Sequence, residues 1–450
     1  MSGKPRSWLV LGAVVTGQLM VGVDATILAL AVPGMAADLH LSSQAVAWVM
    51  AGYVLAAGSL MIAGGRVAQA AGYKRVMTLG LVTFGLASAV GGAADSAWVL
   101  IGARGAQGVG AAAMTPAAMA RLSAAFPGEG RDRAYGIFGM IMGSGTAIGL
   151  LLGGMLTQLS GWRACMYVNV AFVAVALILS ALAGDRVERS PGHGRGSWRG
   201  LLLAVGAALV IHALTVVASP GQATAFGVAG VLVLVGFAIS DRRAVTPLIP
   251  TELFGDATRR VAYLGLFLWG VATIATFMAA SSSLQQVHQL SPLATGVVFL
   301  IYPAAIQLGL FFSRRSGATP PARSIAAGLA VICTGQIVFA IAPTGLATVV
   351  ITLGIMGLGT SQVMPNANSA MNRDAGPHAG VAGAVGTTLQ QLGASVGLAL
   401  PVTLTAMTAH APGIAPGVTA LALMIGSGLA LRQTRSTTTP SSHAAAVRES

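Results

Sequence analysis

Fourteen apolar runs, each about the length a helix needs to cross a bilayer, occupy almost the whole chain. They cover residues 8–32, 44–67, 76–94, 97–120, 134–159, 164–183, 200–217, 223–240, 261–284, 292–313, 324–342, 346–370, 380–407 and 413–431. In hydrocarbon every backbone N–H and C=O needs an internal partner, so runs of this length form helices. The expected fold class is therefore an all-α polytopic membrane protein. Charged residues are only 8% of the chain, against about a quarter in soluble domains. Its 60 glycines suit a bundle whose helix backbones approach closely in lipid.

Lys and Arg set the orientation. Of 25, all but two fall on one side of the alternation; Arg163 stands alone on the other side and Arg104 lies within a run. Basic loops stay in the cytoplasm, so the chain is expected to have an even number of spans and both termini cytoplasmic. The net charge of +13 then faces anionic inner-leaflet lipid, and a nucleic-acid partner is excluded. The first run is long and carries Asp24, which makes it an uncleaved span rather than a signal peptide. Cys165 and Cys333 sit on apolar runs without metal-ligand spacing and read as inert packing residues. Two lysines against 23 arginines point to a high-GC bacterium, and hence to its cytoplasmic membrane.

The two ends of the chain repeat each other at an offset of 249: Ser42 answers to Ser291, Tyr53 to Tyr302, Gly108 to Gly357 and Pro116 to Pro365. After a connection five residues shorter in the second copy, Gly149 and Gly153 answer to Gly393 and Gly397. The expected organisation is a tail (1–7), a six-helix half (8–184) and a cytoplasmic linker (185–199). Two inserted helices (200–240), a second linker (241–260) with a short helix around Leu253, the other half (261–432) and a disordered tail (433–450) follow. Repeated halves around a midplane site are a transporter architecture.

Among 12 acidic residues, Asp24 alone lies well inside a run. Holding a charge at mid-bilayer costs about 2.5–3.5 kcal/mol on insertion scales, so Asp24 is either a protonatable site in a transport pathway or a carboxylate satisfied by neighbouring helices. Asp24, Tyr53 and Arg104 stand eight, nine and seven residues from the outer ends of their runs, a common depth of roughly 11–14 Å. Arg104 can face Asp24 or bond span carbonyls. Gln18 and Gln107 lie deeper. Trp48 and Trp269 can stack on an aromatic ligand or simply pack, and His212, outside both halves, reads as structural. Tyr302, Gln307, Gln336, Thr387, Gln390 and Gln391 are neutral polar groups within spans and together suggest a wet cavity. Gly145, Gly149 and Gly153 put a flat stripe on the fifth span, suited to close packing or sliding.

Taken together, these residues resemble the major facilitator superfamily, and within it the fourteen-helix drug:proton antiporters, over nearly the whole chain. Asp24-Ala25-Thr26-Ile27 with Ala31-Val32-Pro33 resembles the first-span signature, and Trp48 to Leu55 the second span. Gly65 to Arg75, which includes Gln69, Gly72 and Lys74, occupies the place of the cytoplasmic loop motif. Arg104 to Gly110 matches the fourth-span arginine motif. Gly145 to Gly154, followed by Gly161-Trp162-Arg163 and Asn169, resembles the fifth-span antiporter motif and the loop after it. The loop motif's usual acid is Gln69 here, the antiporter motif's proline is Leu150, and the first-span asparagine is Ala29.

The resemblance implies the major facilitator fold, two pseudo-symmetric six-helix halves plus two inserted helices. It also implies proton coupling through Asp24 and Arg104 and no cofactor beyond the proton gradient. The expected partners are protons, the lipid bilayer and a small amphipathic drug or antibiotic, which a monomer exports. An uptake permease and a transport-inactive sensor or scaffold are the rival readings. No His/Asp/Glu cluster with metal spacing and no nucleophile–His pair lies within the spans, so an intramembrane enzyme is the weakest alternative.

Overall fold

The computed structural model describes residues 4–126, 130–184, 198–215, 219–245, 247–313, 319–373, 379–407, 417, 420–421 and 423–428. The described chain is helical throughout. The first half comprises α1 (Lys4–Asp38), α2 (Ser43–Ala71), α3 (Tyr73–Gly92), α4 (Ala97–Ala125), α5 (Gly130–Ser160) and α6 (Trp162–Leu182). A hairpin of α7 (Trp198–Thr215) and α8 (Pro220–Arg242) follows. Then come α9 (Ala257–Ser282), α10 (Pro292–Phe299), α11 (Ile301–Ser313), α12 (Pro321–Ile341), α13 (Leu346–Asn372) and α14 (Ala379–Met407). Among the described residues, nine helices are long and apolar enough to cross a membrane.

Three details differ from the sequence expectation. The tenth run is split between α10 and α11 at Leu300, whose N–H turns to the Val297 carbonyl at 3.1 Å. Pro303 supplies the reason: it has no N–H to offer the Phe299 carbonyl one turn back. Helix α8 runs on to Arg242, past the expected end of its span. The linker helix around Leu253 is a 3₁₀ turn, Thr251–Phe254, with Leu253 buried. Most of the fourteenth run, the first linker as far as residue 197 and the tail from 433 lie outside the described residues.

Helices α1 to α6 pack on one another, as do α9 and α11 to α14, while α7 lies along α2 and α14 with α8 against it. The repeat extends to individual contacts. Ser42 and Ser291 each cap a helix by accepting from the N–H three residues on, at 3.2 Å in both. A Cβ on Gly108 would stand 2.4 Å from the Tyr53 carbonyl oxygen, and one on Gly357 2.4 Å from that of Tyr302. On α5, Gly149 and Gly153 lie against the backbone of Val23 and Ile27; on α14, Gly393 and Gly397 lie against that of Phe267 and Val271.

These last contacts extend the repeat to the first helix of each half, α1 on α9, at an offset of 244. A π-helical turn, Ser283–Val287, follows α9 where the second copy has five extra residues. At this offset Asp24 corresponds to Leu268, and at the offset of 249 that α4 and α13 keep Arg104 corresponds to Leu353, both buried.

The halves meet along α1 and α9, α5 and α10, and α2 and α14. At the end carrying the α1–α2 turn, Ser281 Oγ donates to the Ala29 carbonyl at 2.8 Å and Gln285 Nε2 to that of Leu30 at 3.1 Å. There Gly154 faces the Pro292 carbonyl and Gly296 that of Leu150, so α5 and α10 close backbone to backbone. At mid-length, Thr388 Oγ1 donates to the Gly58 carbonyl at 2.6 Å.

Candidate functional site

Five helices of the first half enclose one buried polar cluster. Asp24 comes from α1 and is 0% exposed; Arg104, on α4, is 1% exposed. Arg104 Nη1 donates to Asp24 Oδ2 at 2.7 Å and to Gln107 Oε1, one turn along α4, at 2.7 Å. Its Nε donates to the Val49 carbonyl of α2 at 3.3 Å. Both sequence readings of Arg104 therefore hold: it pairs with the acid and it bonds a span carbonyl. Its guanidinium also lies 4.4 Å from the Tyr53 ring centroid, a cation–π contact.

The other carboxylate oxygen, Asp24 Oδ1, accepts from Asn169 Nδ2 of α6 at 2.7 Å, with Gln107 Nε2 more distant at 3.5 Å. Gln107 Nε2 donates to Ser88 Oγ of α3 at 2.6 Å. The bonds of Arg104 to Asp24 and Gln107 and of Asn169 to Asp24, each 2.7 Å, are charge-assisted, and such bonds are about twice as strong as neutral ones. Small residues let the helices around the cluster approach closely. Gly149 and Gly153 bring α5 onto α1, Gly108 brings α4 onto α2, and Gly110 meets the Gly80 carbonyl of α3.

Asn169 and Ser88 are members that sequence reasoning left out of the site. Asn169 stands seven residues into α6 and Ser88 four from the end of α3. The depth arithmetic that grouped Asp24, Tyr53 and Arg104 also reaches Asn169, at about 10 Å, whereas it puts Ser88 at only about 6 Å. Short polar residues are common packing groups in spans, which hides the signal.

Other expected residues lie elsewhere. Gln18 bonds Thr115 Oγ1 at 3.3 Å, separate from the cluster. Trp48 faces His212 of α7 with ring centroids 5.7 Å apart, and His212 meets Phe226 of α8 at 4.5 Å. In the second half Trp269 Nε1 donates to Thr360 Oγ1 at 2.9 Å, and Tyr302 OH lies 3.0 Å from the same oxygen. Gln336 Nε2 donates to Thr276 Oγ1 at 2.6 Å. Thr387 bonds back to the Gly383 carbonyl, Gln391 packs on Gly58, and the Gln390 carbonyl faces Gly270. Gln307 is exposed on the α11 surface that carries Leu308 and Phe311, apart from the rest, because one turn of helix puts it beside them.

In the α2–α3 loop Gly72 takes φ 95°, a conformation that favours glycine. Gln69 and Arg75 are exposed, Lys74 is half-buried and Gly65 lies against Pro116. Gly145 meets only the Leu19 side chain, whereas Gly154 belongs to the contact with α10. Among the described residues no group of three or more His, Cys, Asp or Glu is arranged to hold a metal ion.

Residues 14–398 match the profile of the Major Facilitator Superfamily. A puromycin resistance protein of Streptomyces alboniger is 36% identical over 412 residues, spanning 88% of this chain and 81% of its own. The tetracenomycin C resistance and export protein of Streptomyces glaucescens is 29% identical over 419 residues, with 88% and 76% covered. The methylenomycin A resistance protein of Bacillus subtilis is 30% identical over 404 residues, with 87% and 86% covered. A crystal structure of a POT peptide transporter in complex with sulfate superposes with a TM-score of 0.67 over 96% of this chain and 95% of that one; at 16% identity the likeness is one of fold alone.

Proposed function

The chain belongs to the Major Facilitator Superfamily, and from that membership we propose a proton-coupled secondary transporter. It exports a small amphipathic drug or antibiotic across a bacterial cytoplasmic membrane, as the names of its resistance and export relatives imply for them. It is a carrier rather than an enzyme. The finer architecture is that of the fourteen-helix drug:proton antiporters. Both termini are cytoplasmic, the halves span 8–184 and 261–432, and the inserted pair is 200–240 between linkers 185–199 and 241–260. The carrier acts as a monomer and draws on the proton gradient without a cofactor.

One observation carries the reading. The same helical scaffold is built twice, with a buried Asp24–Arg104 pair in one copy and Leu268 with Leu353 in the other. Leucines are sufficient to pack this arrangement, so architecture does not require the charges. A buried ion pair is weak evidence for stability, and ionisable groups at membrane depth serve ion and proton pathways. Asp24 is the proton carrier and Arg104 its counter-charge. Trp48, Tyr53, Trp269, Tyr302, Gln336, Thr387, Gln390 and Gln391, with Gln18 and Gln107, are the proposed cavity lining; Gln307, on the outer surface of α11, is not part of it.

In the transport cycle Asp24 is charged while the cavity faces the cytoplasm and takes a proton when it faces outward. Loading substrate then opposes loading the proton. Inward proton movement is driven by the pH gradient and, where net charge crosses, by about 2.3 kcal/mol per charge per 100 mV. The inter-half bonds of Ser281 and Gln285 lie at the end that the Lys and Arg distribution makes external. They support a conformation closed to the outside.

Everted vesicles loaded by a lumen-acid gradient test the scheme, with puromycin as the probe. The wild type should accumulate probe and Asp24→Asn should not. Equal accumulation by both would remove Asp24 from the mechanism, and probe leaving the lumen on acidification would reverse the direction.

A further inference from the structure

Asn169 is 0% exposed, and while its Nδ2 holds Asp24 Oδ1 at 2.7 Å its own Oδ1 has no partner. That spare acceptor matters once Asp24 takes a proton. A carboxylate only accepts, whereas a carboxylic acid also donates an O–H and needs an acceptor. Oδ2 faces Arg104, a donor only, so the proton is placed on Oδ1. There the O–H meets two amides.

Gln107 is locked. Its Oε1 is held by Arg104 and its Nε2 by Ser88, at 2.7 and 2.6 Å, so turning it would break both bonds. Asn169 has one bond to lose, and the terminal torsion of an asparagine is broad and roughly two-fold. Half a turn about that torsion brings its Oδ1 to the acid and its Nδ2 to the place Oδ1 had occupied. Each protonation state then leaves one end of this amide unpartnered, so the two states stay close in free energy. The titratable groups interacting with Asp24 are Arg104 from α4, Tyr53 from α2 and Cys165 from α6. Arg104 is a donor only, and the hydrogen bonds that reach Asp24 among the described residues come from Arg104, Gln107 and Asn169.

We propose that Asn169 is the amide switch of the coupling site, donating Nδ2 to Asp24 when it is ionised and accepting its proton through Oδ1 when it is neutral. The inference rests on Asp24 being the proton carrier. The proton that binds Asp24 comes from water and later returns to water; Asn169 turns but neither gains nor loses one. Without the switch, the neutral acid would be buried against an N–H group, a mismatch that slows the cycle.

The test uses the full-length protein in lipid and infrared difference spectra on acidification. The wild type should show a carboxyl band that Asp24→Asn lacks. With asparagine labelled at the side-chain carbonyl, an amide band should shift with the same midpoint and stay still in Asp24→Asn. The chain has four asparagines, and loss of the shift in Asn169→Leu assigns it. That variant should move the Asp24 band to higher frequency and slow puromycin efflux about tenfold, the effect of one unsatisfied buried group. Asn169→Thr, whose hydroxyl both donates and accepts, should recover part of the rate.

An Asp24 band that appears while the asparagine amide stays unmoved overturns the switch. The labelled wild type gives that answer even if Asn169→Leu fails to fold. Efflux without any Asp24 band overturns the carrier assignment itself, and the switch with it.

Discussion

Writing the second half's leucines into the first, as Asp24→Leu with Arg104→Leu, tests whether the buried pair is architecture or machinery. Removing one partner strands the other: Arg104 alone keeps Gln107 and the Val49 carbonyl, and Asp24 alone keeps Asn169. Breaking a buried pair from one side costs about 3–5 kcal/mol, so two independent losses would total roughly 6–10 kcal/mol. The double variant strands no charge. It leaves the Gln107 Oε1 and Asn169 Nδ2 bonds unmade, about 1–3 kcal/mol each. Against that stands about 1–4 kcal/mol commonly recovered when apolar side chains replace a buried pair. The net lies between a gain of about 2 and a loss of about 5 kcal/mol, near or below either single variant and short of their sum. Thermal unfolding of the purified variants in one detergent reads the order directly. Probe efflux should be absent from all three. A double variant as unstable as the summed singles would make the pair structural, and a double variant that still pumps with wild-type pH dependence would end its role in coupling.

Other consequences are independent of the proton scheme. Gly108→Ala and Gly357→Ala should each lose about 1–3 kcal/mol through overpacking, because each Cβ would meet a tyrosine carbonyl at the same 2.4 Å; tolerance of one with collapse of the other, in parallel melting curves, would break the repeat. Asp241 accepts from Arg199 at 3.1 Å and from the backbone N–H groups of Leu248 and Ile249 at 2.7 and 2.9 Å, while Arg66 reaches the Pro247 carbonyl. Asp241→Ala should therefore lower stability by about 2–4 kcal/mol and speed hydrogen exchange at Leu248 and Ile249; unchanged exchange there would show the linker is held by other contacts. For topology, a single cysteine at Arg163 in a cysteine-free background should react with an impermeant thiol reagent from outside intact cells, and one at Arg75 only after permeabilisation. The reverse pattern would invert the assignment.

Hydropathy alone settled that the chain is a helical membrane bundle, because hydrocarbon tolerates few other backbones. Repeated glycines and cap serines also exposed the internal repeat, since close backbone contact and capping demand particular residues at particular positions. The rarity of charge in apolar runs singled out Asp24 and Arg104, and helix rise put them at one depth. Rotation about each helix axis is a tertiary property. It decided that Asn169 and Ser88 face inward, that Gln307 faces outward, and that Gln18 bonds Thr115 instead of joining the cluster. Only packing revealed that α1 corresponds to α9 in a register five residues different from that of α2 and α4. From that register comes the comparison of an ion pair with two leucines, because residue identity at those positions is what differs between the copies and packing alone says which positions correspond.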